Sequence, residues 1–274
     1  MRIVEFQDQP FHCLRYANVS KSRAVVTERL PFFRAEVDGL PDGLDAIIAT
    51  ADLQGRELAK DYDRPTRLLG EMLADEIDSL RSLKKVPPRE RMAIIVAGDL
   101  FVHPQMHRRG GLGDVRSVWL ALARVGRWIA GVAGNHDVFN SSHPPDPLVL
   151  DRNFVNKPGV HLLDGTIIKI DGLRIAGLSG IVGDPRRPFH RHEQDFADAM
   201  GRLASAGSDL IITHDGPDVE NTTLPGWASA RRALEASRPT LVVRGHRHWD
   251  TPLAVLANGT QVLNVHARVV VVHR

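Results

Sequence analysis

The chain has 274 residues, 43% of them apolar and 25% charged, with a net charge of +2. That is the balance of a soluble globular chain long enough for a large core. The charge is too small to indicate a nucleic acid or a membrane surface as partner. The single Cys13 excludes an internal disulfide, the opening Met1–Asp8 lacks the apolar stretch of a secretory signal, and no apolar run approaches the roughly 18 residues of a membrane span, so a cytoplasmic setting is expected.

Residues 1–44 contain two strand segments, Arg2–Phe6 and Ala24–Thr27, in a stretch punctuated by Pro31 and Pro41. They are expected to form an accessory segment packed on a domain that spans 45–274. The apolar run Ala46–Thr50 leads into Asp52 and Gln54. From Thr66 to Leu83 apolar residues recur at three- and four-residue steps, the period of an amphipathic helix, and Pro87-Pro88 cannot continue it. A strand at 92–97 ends in Gly98-Asp99, a helix is expected at 114–126, and a strand at 127–133 ends in Gly134-Asn135-His136-Asp137. Strands alternating with helices indicate parallel βαβ units.

The second half begins with short runs at Gly159–Leu163, Thr166–Ile170 and Leu173–Leu178. Asp164-Gly165 and Asp171-Gly172 separate them, and each is a hairpin signal. A helix at 192–206 and a strand at 209–213 follow, the latter ending in His214-Asp215. A helix near 226–237 and a strand at 240–244 then lead to Gly245-His246-Arg247-His248, with further strands at 252–257, 261–265 and 268–273. Each half thus reads as a sheet flanked by helices. The fold class expected is α/β: two packed mixed β-sheets between helices, a four-layer α/β/β/α sandwich.

Five apolar runs therefore end in oxygen or nitrogen donors, and residues just past the carboxyl ends of parallel strands converge on one crevice. The donors Asp52, Gln54, Asp99, Asn135, His214, His246 and His248 suit borderline divalent metals, Mn, Fe or Zn, with Mg also compatible. Their number fits two ions better than one, and paired ions suit in-line phosphoester hydrolysis. Asp215 reads as a turn residue. His266, in an apolar strand pair, reads as a packed, hydrogen-bonded side chain outside the donor set. Arg56 and the loop residues His107, Arg108 and Arg109 are candidate phosphate contacts.

The order Asp-x-Gln, Gly-Asp, Gly-Asn-His-Asp, a lone His after a strand, and Gly-His-x-His resembles the calcineurin-like metallophosphoesterase family over about residues 45–270, with its metallo-dependent phosphatase-like sandwich. The resemblance implies that Asp99 bridges two divalent ions, with Asp52, Gln54 and His248 on the first and Asn135, His214 and His246 on the second. It also implies attack by metal-bound hydroxide, with His136 facing the phosphate and Asp137 orienting its imidazole. Gln54 stands where the family usually has His. A neutral amide oxygen there points to harder ions, Mn above all. Some family members, among them the manganese-dependent ADP-ribose/CDP-alcohol diphosphatases, look alike in having Gln at this place.

The expected substrate is a small anionic phosphodiester, phosphomonoester or pyrophosphate, nucleotide-like in size. Two other readings compete. A catalytically weakened scaffold that acts by binding has no need of His136 or of an intact second site. A nuclease needs stacking aromatics, and only 5% of residues are aromatic. Oligomeric state is not legible in the sequence.

Overall fold

Alternation along the central strands sorts side chains between layers. Every residue of Ala46–Ala51 is buried. Ala46 and Ile48 enter one core, while Ile47, Ala49 and Ala51 enter another. The neighbouring strand repeats the pattern, with Met92, Ile94 and Val96 on the first side and Ala93 and Ile95 on the second. A strand with two buried faces needs a cover on each, and its continuous apolar run is the sequence trace of that.

The computed structural model describes residues 1–20, 22–60, 66–104 and 111–274. One sheet runs, in spatial order, Arg2–Phe6, Val25–Asp38, Arg268–His273, Ala46–Ala51, Met92–Val96, Ile129–Gly131 and Val160–Leu162, with His12–Val19 also paired to Val25–Asp38. The other runs Thr166–Ile170, Leu173–Leu178, Leu210–Thr213, Leu241–Arg244, Gln261–Asn264 and Leu253–Val255. Both are mixed. Ile47, Ile95, Ile212, Val243 and Val270 pack together between them. Helices Leu69–Ser82 and Arg116–Val125 cover the outer face of the first sheet through Leu73, Ile77, Val118 and Leu122. Helices Glu193–Ser205 and Ala228–Glu235 cover the second through Phe196, Met200, Leu203 and Leu234. The result is the four-layer α/β/β/α sandwich.

Two local readings differ from the sequence expectation. Asp171-Gly172 does close a hairpin, since Ile170 pairs antiparallel with Leu173. Asp164-Gly165 does not: Val160–Leu162 lies in the first sheet and Thr166–Ile170 in the second, so this turn carries the chain from one layer to the other. Turn chemistry bends the chain but does not choose the sheet in which the next strand pairs. In the N-terminal segment, Val25–Asp38 is fourteen residues long and inserts beside Arg268–His273. The strand His12–Val19 was not legible in the sequence. Trp119 and Trp128 are buried in the core.

Ala46–Ala51, Met92–Val96 and Ile129–Gly131 are mutually parallel, as are Leu210–Thr213 and Leu241–Arg244. Their carboxyl ends are tied together: the Asp52 amide donates to Gly98 O (2.9 Å) and the Gly245 amide to His214 O (3.1 Å). The five donor-bearing junctions consequently meet at one end of the sandwich. No helix among the described residues is long and apolar enough to cross a membrane.

Candidate metal centre

Three donors leave their strands in a strained backbone conformation. Asp52, Asp99 and His246 have φ of 55°, 58° and 65°. For non-glycine residues this left-handed region costs roughly 1–2 kcal/mol each, less for Asp. Such strain concentrates at functional sites. Two motif glycines provide clearance. A Cβ on Gly134 would lie 2.0 Å from Asp99 Oδ1, and one on Gly245 would lie 2.4 Å from Asp52 Oδ2. Only glycine lets both carboxylates occupy these places.

Asp99 sits at the centre and is 3% exposed. Its Oδ2 is 3.2 Å from His214 Nε2, 3.1 Å from Gln54 Nε2 and 4.0 Å from His136 Nε2. Its Oδ1 accepts the His136 backbone N–H at 3.0 Å. One donor atom from each of Asp99, His214 and His246 lies within 4.8 Å of the other two. His214 and His246 stand with ring centroids 5.1 Å apart. Asp52 joins the cluster through Oδ2, which accepts the His246 backbone N–H at 2.9 Å.

Buried polar atoms of the donor set that lack a partner mark a place for a cation. His214 Nδ1 is 2.6 Å from the Ala97 carbonyl, which can only accept, so Nδ1 carries the hydrogen and Nε2 is left to face the site. A histidine that donates one ring N–H to a backbone carbonyl while presenting the other nitrogen is oriented as metal ligands are. His214 Nε2 and Asn135 Oδ1 are both buried without a hydrogen-bond partner. Leaving such atoms unmade costs about 1–3 kcal/mol each, and a divalent cation would satisfy both. Carboxylate, amide and imidazole donors together fit that group.

Charge shifts agree with the geometry. Burial disfavours a charged His214, but the Asp99 carboxylate beside it overrides this and raises the ring to about 10. Burial likewise works against ionised Asp99, yet His214 and His136 hold it below the ordinary carboxylate range. Burial, then the positive His214, push His246 down, which leaves it neutral with a lone pair to offer.

The remaining expected residues fall in different places. Asp137 is fully buried, and its carboxylate accepts the backbone N–H groups of Gly134 (2.8 Å), Asp99 (2.8 Å) and Leu100 (2.7 Å). These are its contacts, in place of the His136 ring it was expected to orient. The side chain points back under the Asp99 loop, where three amides converge. Burial and the nearby Asp99 charge push Asp137 up. The His136 ring is instead held by Nδ1, which donates to Gly111 O at 2.8 Å, leaving Nε2 toward Asp99.

Arg56 is 5% exposed and was expected as a phosphate contact. Its guanidinium donates to the Val102 carbonyl at 2.9 Å and to the Thr66 carbonyl, so these contacts clamp backbone. His107, Arg108 and Arg109 lie outside the described residues. Asp215 is buried and accepts from Trp227 Nε1 and the Gly216 amide, as a turn residue does.

His248 stands apart. Its side chain is 55% exposed, its Nδ1 is 3.3 Å from Arg268 Nη2, and its Nε2 is 3.4 Å from Asp250 Oδ1. His266, set aside in the sequence reading, lies with Nδ1 3.2 Å from Asp52 Oδ1. The signal that could have found it resembles that of the others: the strand Gln261–Asn264 is followed within two residues by an imidazole. A cavity of about 530 Å³ opens beside His248, between Phe6, Phe33, Asp250 and Arg268. A larger one of about 610 Å³ is lined by Arg34, Lys85 and His273 and touches none of the donors.

A profile described as calcineurin-like phosphoesterase matches residues 46–250 of this chain. Comparison with curated protein sequences gives no match. Among solved structures, the chain is similar to a dimetal phosphatase from Danio rerio, at 14% identity and a TM-score of 0.47, covering 81% of this chain and 87% of that one. It is similar to the sulfate thiohydrolase SoxB from Thermus thermophilus, at 13% identity and a TM-score of 0.43, covering 84% of this chain and 53% of that one. It is also similar to a protein of unknown function from Aquifex aeolicus, at 13% identity and a TM-score of 0.35, covering 82% and 95%.

Proposed function

The chain belongs to the calcineurin-like phosphoesterase family, and from that premise we propose that it is a manganese-dependent, cytoplasmic hydrolase of a small nucleotide-like phosphodiester, phosphomonoester or pyrophosphate. The observation that carries this reading is the convergence of Asp99, His214 and His246 around buried atoms that lack partners, Asn135 Oδ1 and His214 Nε2. Asn135, His214 and His246 would hold one ion, Asp52 and Gln54 would help hold a second, and Asp99 would serve both. When bound, the two ions would activate a water at neutral pH and offset charge on the phosphoryl oxygens.

The chain's own residues supply the rest. Asp99, near Gln54, His136 and His214, sets the middle of the site. His136 is anchored twice, by its backbone N–H on Asp99 Oδ1 and its Nδ1–H on Gly111 O. With Nδ1–H engaged, a proton on Nε2 can be given to the leaving oxygen, the task of a general acid. The cavity beside His248 has room for a leaving group of nucleoside size, and Phe6 and Phe33, with ring centroids 5.8 Å apart, provide an apolar wall.

Gln54 supports manganese over zinc, because a neutral amide oxygen is a harder donor than imidazole. As the amide is oriented, its NH₂ donates to Asp99. A half-turn of the amide brings Oε1 to the same place.

The test is hydrolysis of bis-p-nitrophenyl phosphate and p-nitrophenyl phosphate with added Mn²⁺, using Asp99→Ala and His136→Ala as controls. Activity on either ester that is lost in both variants supports the reading. No activity on either, with no bound metal, overturns it. A Gln54→His variant that leaves the Mn²⁺/Zn²⁺ preference unchanged would remove the case for manganese.

A further inference from the structure

We propose that His266, and not His248, supplies the imidazole of the first metal site, through Nδ1 and alongside Asp52 Oδ1. The inference rests on the metal-centre reading above and assigns to it a residue outside the expected donor set.

The hydrogen-bond chemistry of the two rings separates them. Arg268 has donors only, so at 3.3 Å its guanidinium occupies the lone pair on His248 Nδ1. In the neutral ring the hydrogen is then on Nε2, which faces Asp250 at 3.4 Å. His248 therefore has no free lone pair in this arrangement, and more than half of its side chain faces solvent. His266 is the reverse. Its Nδ1 is buried, it has no hydrogen-bond partner, and it lies 3.2 Å from Asp52 Oδ1 without hydrogen-bond geometry to it.

A carboxylate oxygen and a buried imidazole nitrogen held this close without hydrogen-bond geometry stand as two ligands of one cation would. Ligand atoms about 2.1 Å from one ion stand about 3.0 Å apart at an octahedral angle and about 3.4 Å apart at a tetrahedral one. The Asp52–His266 separation falls in that range, as does the matching pair on the other side of the centre, Asp99 Oδ2 and His214 Nε2, also at 3.2 Å. In both pairs the imidazole nitrogen is buried and without a hydrogen-bond partner.

The backbone holds His266 in place. Its amide donates to Asn264 Oδ1 at 3.1 Å, and it forms a parallel bridge with Ala51, the residue before Asp52. The Ala267 amide donates to Ala51 O at 3.1 Å, with Ala267 at a φ of 51°. Asp52 Oδ2 is meanwhile occupied by the His246 amide, which leaves Oδ1 facing His266. An imidazole arriving just past the end of the Gln261–Asn264 strand would compensate for the imidazole that Gln54 does not provide.

The experiment is Mn²⁺ binding by isothermal titration to the full-length, chelator-stripped protein, with folding of each variant checked by circular dichroism. Wild type should take up two ions. His266→Ala should lose one, or bind it at least about tenfold more weakly, since even outer-shell changes cost 10–100-fold. His248→Ala should keep both. Should His266→Ala not fold, anomalous diffraction from Mn²⁺-soaked wild-type crystals decides: an ion bonded to His266 Nδ1 supports the assignment, and one bonded to His248 with His266 unligated overturns it. His214→Ala reports on the centre separately. Loss of an ion in His214→Ala with full binding in His266→Ala sinks the His266 assignment and leaves the centre standing. No Mn²⁺ uptake by wild type sinks both.

Discussion

His214 Nε2 stands 3.2 Å from Asp99 Oδ2, with its ring fully buried and its other nitrogen hydrogen-bonded to Ala97 O. In the ion-free protein a proton takes the place of the cation there, because Asp99 outweighs burial and holds His214 near 10. Metal must displace that proton. Below about 10, raising the pH lowers the cost of that displacement, so Mn²⁺ affinity should rise with pH by about tenfold per unit for one proton released. Isothermal titration in buffers of different ionisation enthalpy measures the proton count. Affinity independent of pH between 6 and 8 would falsify this.

The motif glycines allow the two ion sites to be perturbed unequally. Gly245→Ala places a Cβ 2.4 Å from Asp52 Oδ2 and 2.7 Å from the Ala51 side chain. It should weaken the first ion by about 10–100-fold and the second, reached only through the His246 backbone, by less. Gly134→Ala places a Cβ 2.0 Å from Asp99 Oδ1. It should weaken both, because Asp99 is shared. Metal content after dialysis, by elemental analysis, distinguishes the two, and equal losses in both variants would contradict the sharing by Asp99.

The Asp137 carboxylate is bonded to three backbone amides of the Gly134 and Asp99 loops. Replacing it by Asn leaves one acceptor oxygen where three backbone amides converge, and turns an NH₂ toward at least one of them. A cost of about 1–3 kcal/mol is expected, seen as a lower Tm by calorimetry in metal-free buffer. An unchanged Tm would show that the carboxylate does not bracket the Gly134 and Asp99 loops.

His136 gives the opposite signature. His136→Gln should lower kcat by about 10²–10⁴-fold, the range for loss of a general acid, with two Mn²⁺ still bound and Tm little changed. Loss of an ion in this variant would mean that the ring ligates metal and does not serve as an acid.

Much of the site was legible because strand ends are local features. An apolar run followed by Asp, Asn or His can be read within a few residues, and parallel strands bring such ends together whatever separates them in the chain. The continuous apolar runs of the buried strands Ala46–Ala51 and Met92–Val96 and the helical period of 69–82 were legible for the same reason. The strand His12–Val19 was not, because its partner is Val25–Asp38 and its own alternation is weak. Nor was the route of the chain through Asp164-Gly165, where layer choice depends on a strand far along the chain.

The roles of individual side chains were decided by packing. Asp137 follows His136 in sequence but reaches three amides beneath it. Arg56 is close to Gln54 in sequence but is buried against the Val102 carbonyl. His246 and His248 share one motif, yet only His246 falls among the clustered donors of Asp99 and His214, while Arg268 occupies the lone pair of His248. The sequence by itself determined which donors exist and that they gather at one end of a sandwich, since spacing and periodicity are properties of a short segment. Only the tertiary structure decided which nitrogen of each imidazole is free and which carboxylate it meets. Those depend on contacts such as Asp52 with His266, made between residues brought together only when both sheets are folded.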